Sequence, residues 1–126
     1  MLATQLPHLY LQHDSSKGRC VFTSSEIMQG SIIEICPVII LSKEDTLKIH
    51  ETLLHDYYFL WNAEEESAIA LGYGSLYNHS ETPNAQFELV YGDNEIHMIA
   101  AINIEPGSEI TINYMEIKNE KYKLWF

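Results

Sequence analysis

Between Leu71 and Asn84 the chain reads Leu-Gly-Tyr-Gly-Ser-Leu-Tyr-Asn-His-Ser-Glu-Thr-Pro-Asn. Here apolar periodicity gives way to groups that can hold a ligand. Asn78, His79 and Ser80 supply an amide, an imidazole and a hydroxyl in succession. Such groups bind polar ligands by hydrogen bonds, and imidazole can also carry a proton. Gly72 and Gly74 let the backbone approach a neighbour closely or take positive φ. Thr82-Pro83-Asn84 reads as a turn, since Pro83 fixes φ and Asn84 tolerates the left-handed region. By itself the stretch is either an elaborate loop or a site. Further on, Tyr114 brings a phenol at the end of an alternating run, where the pattern alone makes it a core side chain.

Metal chemistry finds little support. Cys20 and Cys36 show no metal-ligand spacing. His50 and His55 are not at the i, i+4 spacing of two ligands on one helical face. No metal site is expected, and both thiols are expected free and largely buried.

These groups need elements to position them. Leu6, Leu9 and Leu11 suit a short arm or edge strand, Lys17-Gly18-Arg19 a turn, and Cys20 to Thr23 a strand. Gln29-Gly30 is a second turn. Ser31 to Leu41 is rich in Ile and Val, with Ile33, Ile35 and Val38 expected on one side of a pleat. Pro37 belongs at an edge or a bulge. Ser42 is a candidate cap for one short helix from Lys43, with Glu44 and Asp45 in its first turn. Tyr57 to Trp61 is strand-like. Asn62 to Ser67, with Glu64 to Glu66, is a solvated turn, and Ala68 to Leu71 is a short strand. Phe87, Leu89 and Tyr91 alternate with polar neighbours. Gly92-Asp93-Asn94 then turns the chain into Ile96, Met98 and Ala100, a hairpin. After Pro106-Gly107, the spacing of Ile110, Ile112 and Tyr114 predicts a last strand. The aromatic end, Tyr122, Leu124, Trp125 and Phe126, is expected to dock. The sum is a mainly β (α+β) chain of short strands with little helix and no βαβ alternation.

The 126 residues suit one domain, 1–126, large enough for a substantial core. A net charge of −11 disfavours direct nucleic-acid binding and favours a basic partner. No apolar run approaches the roughly 18 residues of a membrane helix. The N-terminus lacks the plan of a signal peptide. A location inside the cell, cytoplasmic or nuclear, is expected.

Three segments together resemble the SET-domain family of protein lysine methyltransferases. Lys17-Gly18-Arg19-Cys20-Val21-Phe22, then Gly30 and Ile33-Glu34, is similar to the family's N-terminal motif. Asn78-His79-Ser80 with Pro83-Asn84 is similar to its Asn-His-Ser-Cys-x-Pro-Asn. Gly107 to Tyr114 is similar to its Gly-Glu-Glu-Leu-Thr-x-Asp-Tyr. The resemblance covers residues 17–126. The sequence departs from the pattern at Cys20 (second glycine), Glu81 (cysteine), Ser75 (arginine) and Asn113 (acid), and it has no flanking zinc-binding cysteine clusters. A minimal member is implied, with a β-clip-like fold of several short sheets. The segment carrying Tyr114 would pass through a loop as a C-terminal pseudoknot, against the usual rule on threading.

The resemblance also implies a reaction, methyl transfer from S-adenosyl-L-methionine to a lysine side chain of a protein. The cofactor supplies the reactivity, while the protein orients and desolvates. The amine must be neutral, although free lysine has a pKa of about 10.4; a dry aromatic channel would lower it. Lys17, Gly18, Arg19 and Cys20 would hold the methionine end by their backbone. Asn78 would anchor the cofactor's amino group and His79 its adenine side. Tyr114 would be catalytic, positioning rather than removing protons, because a phenol is rarely ionised at neutral pH. Phe126 or Trp125 would stack on adenine or cover the pocket. Tyr57, Tyr58, Tyr73 and Tyr77 are channel-wall candidates. Ile112, where an aromatic often lies, would leave the channel roomier. The expected partner is a basic protein with an exposed lysine, such as a histone-like tail. A second copy of the chain could complete the substrate face. The alternative is a SET-fold binding module that holds cofactor or a basic partner without turnover.

Overall fold

A computed structural model describes residues 8–62 and 65–117. The expectations for Leu6, Glu64, Tyr122, Leu124, Trp125 and Phe126 lie outside the described residues.

The first element is a hairpin of β1 (Leu9–Asp14) and β2 (Gly18–Thr23). Its turn falls at residues 15–17, so of the expected Lys17-Gly18-Arg19 only Lys17 lies in it, while Gly18, at φ +85°, opens β2. The next strand, β3 (Ile32–Leu41), is central to the fold. Its first half pairs with β8 (Glu95–Ala100) and its second half with β5 (Ser67–Ala70). β4 (Tyr58–Leu60) and β7 (Ala85–Val90) complete a five-stranded sheet in the order β4-β5-β3-β8-β7. Pro37 sits where pairing with β8 ends and pairing with β5 begins. A residue without an N–H is tolerated at that handover, where a ladder runs out.

Alternation in β3 does not run as the sequence suggests. A register shift falls between Ile32 and Glu34. Ile33 and Glu34 are consecutive yet both fully buried, Cys36 is buried, and Ile35 is only half-buried. The extra residue of a bulge flips the side-chain alternation. Ile33 and Ile35 therefore do not share the core face; Glu34 and Cys36 take it beyond the bulge.

Helix α1 (Lys43–Ile49) starts where expected, with the Ser42 hydroxyl accepting from the Asp45 N–H. Thr46, its buried residue, docks it to the sheet through a 2.7 Å hydrogen bond with Ser67. A 3₁₀ turn at Leu53–Asp56 follows and delivers Tyr57 to the edge of β4. The β7–β8 hairpin keeps the predicted alternation, with Ile96, Met98 and Ala100 all buried. Asn94 takes the left-handed conformation at its turn.

The last sheet is the smallest. β6 (Asn78–His79) pairs with β9 (Thr111–Ile112), and the pairing is parallel. Ser80 extends it by donating its N–H to the Ile112 carbonyl. Asn84 fastens the two segments further: its amide donates to the Glu109 carbonyl and its Oδ1 accepts from the Thr111 N–H, at 2.8 and 2.9 Å. The expected strand through Tyr114 is shorter than predicted. Ile110, Thr111 and Ile112 are all buried, so the run does not alternate, and Tyr114 instead opens a short helix, α2 (Tyr114–Ile117). Pairing on one side and the core on the other bury this segment from both directions, which removes the polar face that alternation requires.

Candidate active site

The loop between β5 and β6 is shaped by its two glycines in different ways. Gly72 has φ +68°, a conformation that favours glycine. Gly74 is there for room. A Cβ on it would lie 2.5 Å from the Ala70 Cβ and 2.8 Å from the Cys36 Sγ. The loop thus lies directly on β3, beside the inward-facing Glu34 and Cys36. Glu34 Oε1 accepts from the Tyr77 hydroxyl at 2.7 Å, and Oε2 accepts from the Tyr73 N–H at 2.9 Å. Burial and the Glu34 carboxylate push the Tyr77 phenol well above its ordinary pKa. The same two causes raise the Cys36 thiol, so both stay protonated and inert.

Tyr114 lies against the far end of this loop. Its hydroxyl donates to the Tyr77 carbonyl at 2.7 Å, and its backbone N–H donates to Nδ1 of His79 at 2.9 Å. Accepting at Nδ1 requires the neutral ring with its proton on Nε2. Burial raises the Tyr114 phenol above its usual 10.0, and the neighbouring Tyr57, Asp56 and Glu109 add to the rise. His79 is exposed and lines neither pocket described below; what its ring visibly does is hold the first N–H of α2.

Asn78 is held from the other side. Its amide nitrogen donates to the Arg19 carbonyl at 2.9 Å and to Glu109 Oε2 at 2.8 Å, and lies 3.3 Å from the Cys20 Sγ. Glu109 in turn pairs with Lys17 at 2.6 Å. Burial works to raise the Glu109 carboxyl, but hydrogen bonds from Lys17 and Asn78 and the Lys17 charge outweigh it, so its pKa is lowered. The same contact raises Lys17. Cys20 is 1% exposed and sits beneath Asn78, its thiol raised chiefly by burial. A side chain at this position thus fits under the site rather than filling it.

Two cavities meet at these residues. The wider, about 550 Å³, is lined by Lys17, Gly18, Arg19, Leu76 and Asn78, with Asp56, Tyr57, Ser75 and Tyr114. The narrower is lined by Tyr58, Phe59, Gly74, Tyr77 and Ile112, with the same Asp56, Tyr57, Ser75 and Tyr114. It has room for about one water molecule, about 10 Å³. Ile112 lines it together with Tyr57, Tyr58 and Tyr77. Tyr73 lines neither cavity; its ring packs against the core while its N–H serves Glu34. Asp56, Phe59 and Leu76 carried no signal in the sequence, and Ser75 drew notice only as a departure. Glu109 stood inside a motif, yet nothing in its type or spacing marked its bond to Asn78.

Among the described residues, no three or more His, Cys, Asp or Glu are grouped to hold a metal ion, and no helix is long and apolar enough to cross a membrane.

Comparison with known proteins shows the family. A SET-domain family model matches residues 18–115. The "Histone-lysine N-methyltransferase, H3 lysine-37 specific" of Schizosaccharomyces pombe is 32% identical over 119 residues, covering 94% of this chain and 76% of that protein. A crystal structure of a candidate histone methyltransferase from Plasmodium falciparum superposes with a TM-score of 0.69 at 33% identity, covering 86% of this chain and 94% of that one.

Proposed function

The chain belongs to the SET-domain family and is a protein lysine methyltransferase, and we propose that its joined cavities bring S-adenosylmethionine and a lysine of a basic protein together from opposite sides. The supporting observation is the shared wall: Asp56, Tyr57, Ser75 and Tyr114 line both cavities.

The wide cavity suits the cofactor. Its volume is in the range of small-molecule sites. Lys17 and Arg19 bring positive charge for a carboxylate, and the space where a Gly18 Cβ would lie is open, so backbone is accessible there. Asn78, locked by three neighbours, would present its amide to the ligand with little entropy left to lose. Bound there, the cofactor supplies an electrophilic methyl on a sulfonium; a nitrogen–carbon bond forms as the sulfur–carbon bond breaks.

This chain's own residues do the rest. With room for about one water as it stands, the narrow aromatic cavity would have to widen to take the end of a lysine side chain. Its apolar walls would then strip water from the amine, which favours the neutral, nucleophilic form. Tyr114 commits its one O–H proton to a hydrogen bond with the Tyr77 carbonyl, so toward the channel it offers lone pairs. It would accept from the incoming amine and hold it in line, a positioning role. Asp56, exposed at the junction, gives the departing proton a nearby anionic neighbour with access to water. The net charge of −11 favours basic substrates. The histone specificity named for the yeast relative extends this to a histone-like tail, met in the nucleus or cytoplasm.

The test is transfer of radiolabelled methyl from S-adenosylmethionine to a panel of basic proteins, run beside Tyr114→Phe. Label on lysine, strongly reduced by the substitution, is expected. Cofactor binding by calorimetry with no transfer to any substrate would instead mark a binding module.

A further inference from the structure

We propose that Glu34 is a positioning residue for Tyr114, acting through Tyr77 as a clasp on the loop that carries the active site. The kinetic arm of its test rests on the methyl transfer proposed above; the spectroscopic arm does not.

A fully buried carboxylate is costly, and it survives only where hydrogen bonds replace water. Glu34 spends its two oxygens on the two ends of one loop turn, the Tyr73 N–H and the Tyr77 hydroxyl. Between those ends, Gly74 lies against Cys36 so closely that no side chain would fit. The clasp fixes Tyr77 through its side chain, and the backbone carbonyl of that same residue receives the Tyr114 hydroxyl. The next residue is Asn78, which lines the wide cavity. Glu34 thus reaches both cavities through one side chain without touching either.

The bulge is what makes this arrangement available. Without the register shift between Ile32 and Glu34, the carboxylate would point away from the loop, and Ile35 would take its place. Stability alone gives only a weak reason to bury an acid at this point, because replacing such a polar group and its partners together by apolar side chains is often no worse. A precise carbonyl position under Tyr114 does give one, since displacement of a reacting group by about an ångström can cost roughly a hundredfold in rate.

Glu34→Gln keeps the shape but turns one acceptor oxygen into a donor, so one of the two grips is lost. Tyr77→Phe removes only the hydroxyl grip and leaves the carbonyl in place. The probe is 3-fluorotyrosine incorporated at position 114 and read by ¹⁹F NMR, with circular dichroism confirming the fold. Both variants are expected to move or broaden the position-114 resonance and to lower the pH at which that phenol ionises. Both should lower kcat about tenfold with KM for the cofactor within twofold. An unmoved resonance in both folded variants overturns the proposal. So does a moved resonance with kcat unchanged. If Glu34→Gln fails to fold, Tyr77→Phe decides by the same criteria. If no substrate is methylated even by the unsubstituted chain, the resonance and its titration decide alone.

Discussion

The Tyr114 hydroxyl and the Tyr77 carbonyl lie 2.7 Å apart, with the phenol donating. That bond commits the only proton of the phenol and leaves it an acceptor on every other side. With burial also holding the proton in place, Tyr114 is poorly suited to act as a base.

Replacing Tyr114 by Phe should therefore lower kcat for methyl transfer by about ten- to a hundredfold, the range of a lost positioning contact. Cofactor affinity should change little. Because the Tyr114 pKa is raised above 10.0, its ionisation should not appear in the pH–rate profile below pH 10. Rate should instead climb with pH as the substrate amine loses its proton. A fall in rate between pH 8 and 10 would contradict this.

Asn78→Ala should weaken cofactor binding about tenfold, read by calorimetry, since Asn78 lines the wide cavity from a fixed position. The same change removes a donor from the Glu109 carboxylate and the Arg19 carbonyl. Urea unfolding should show a loss of about 1–2 kcal/mol for the deserted acceptors.

Acid should unfasten the same corner. Glu109 has a folded pKa below its ordinary 4.5, so its contribution to stability is present above that value and is lost as pH falls through the folded pKa. Wild type and Glu109→Gln should therefore differ in urea midpoint at neutral pH, and the difference should shrink as pH falls below 4.5 through the folded pKa. Lys17 has the opposite sign. Its pKa is raised above 10.5, so its share is present below that pH and fades as pH rises further.

Gly74→Ala tests the close approach of the loop to β3. The added methyl would meet the Ala70 Cβ and Cys36 Sγ well inside contact distance. Overpacking of this kind costs about 1–3 kcal/mol. The melting temperature should fall by several degrees, and shrinking the neighbour with Cys36→Ala should recover part of the loss.

Much of the frame was legible where a local cause sufficed. Ser42 caps its helix because a hydroxyl before Lys43 meets an orphan N–H. The β7–β8 hairpin follows from alternation around Gly92-Asp93-Asn94. Gly72 and Gly74 each took one of the two uses open to a glycine. Cys20 and Cys36 are free and buried as expected. What misled was alternation beside a bulge: Ile35 looked like the core partner of Ile33 because one inserted residue leaves no mark in composition. Tyr114 looked like a strand residue because Ile110 and Ile112 share a spacing with it, although both sides of that segment are buried. Asn78 and Tyr114 drew attention by motif, and both line the wide cavity. Glu34 stood inside a motif too, but its bonds to Tyr73 and Tyr77 cross from β3 to a distant loop, and no local pattern encodes those, nor the place of Asp56 on the wall of both cavities.

The parallel pairing of Asn78 and His79 with Thr111 and Ile112 has a consequence for the order of assembly. A nascent chain leaving the ribosome can form the β1–β2 hairpin early, and later the β7–β8 hairpin, because both are local. It cannot close the proposed cofactor cavity until residue 112 has emerged, since among the described residues neither strand of that pair has another partner in a sheet. A fragment cut short of that point would hold every strand of the five-stranded sheet and lack Tyr114, which lines both cavities. The proposed site would therefore be a built-in check that synthesis has run past β9.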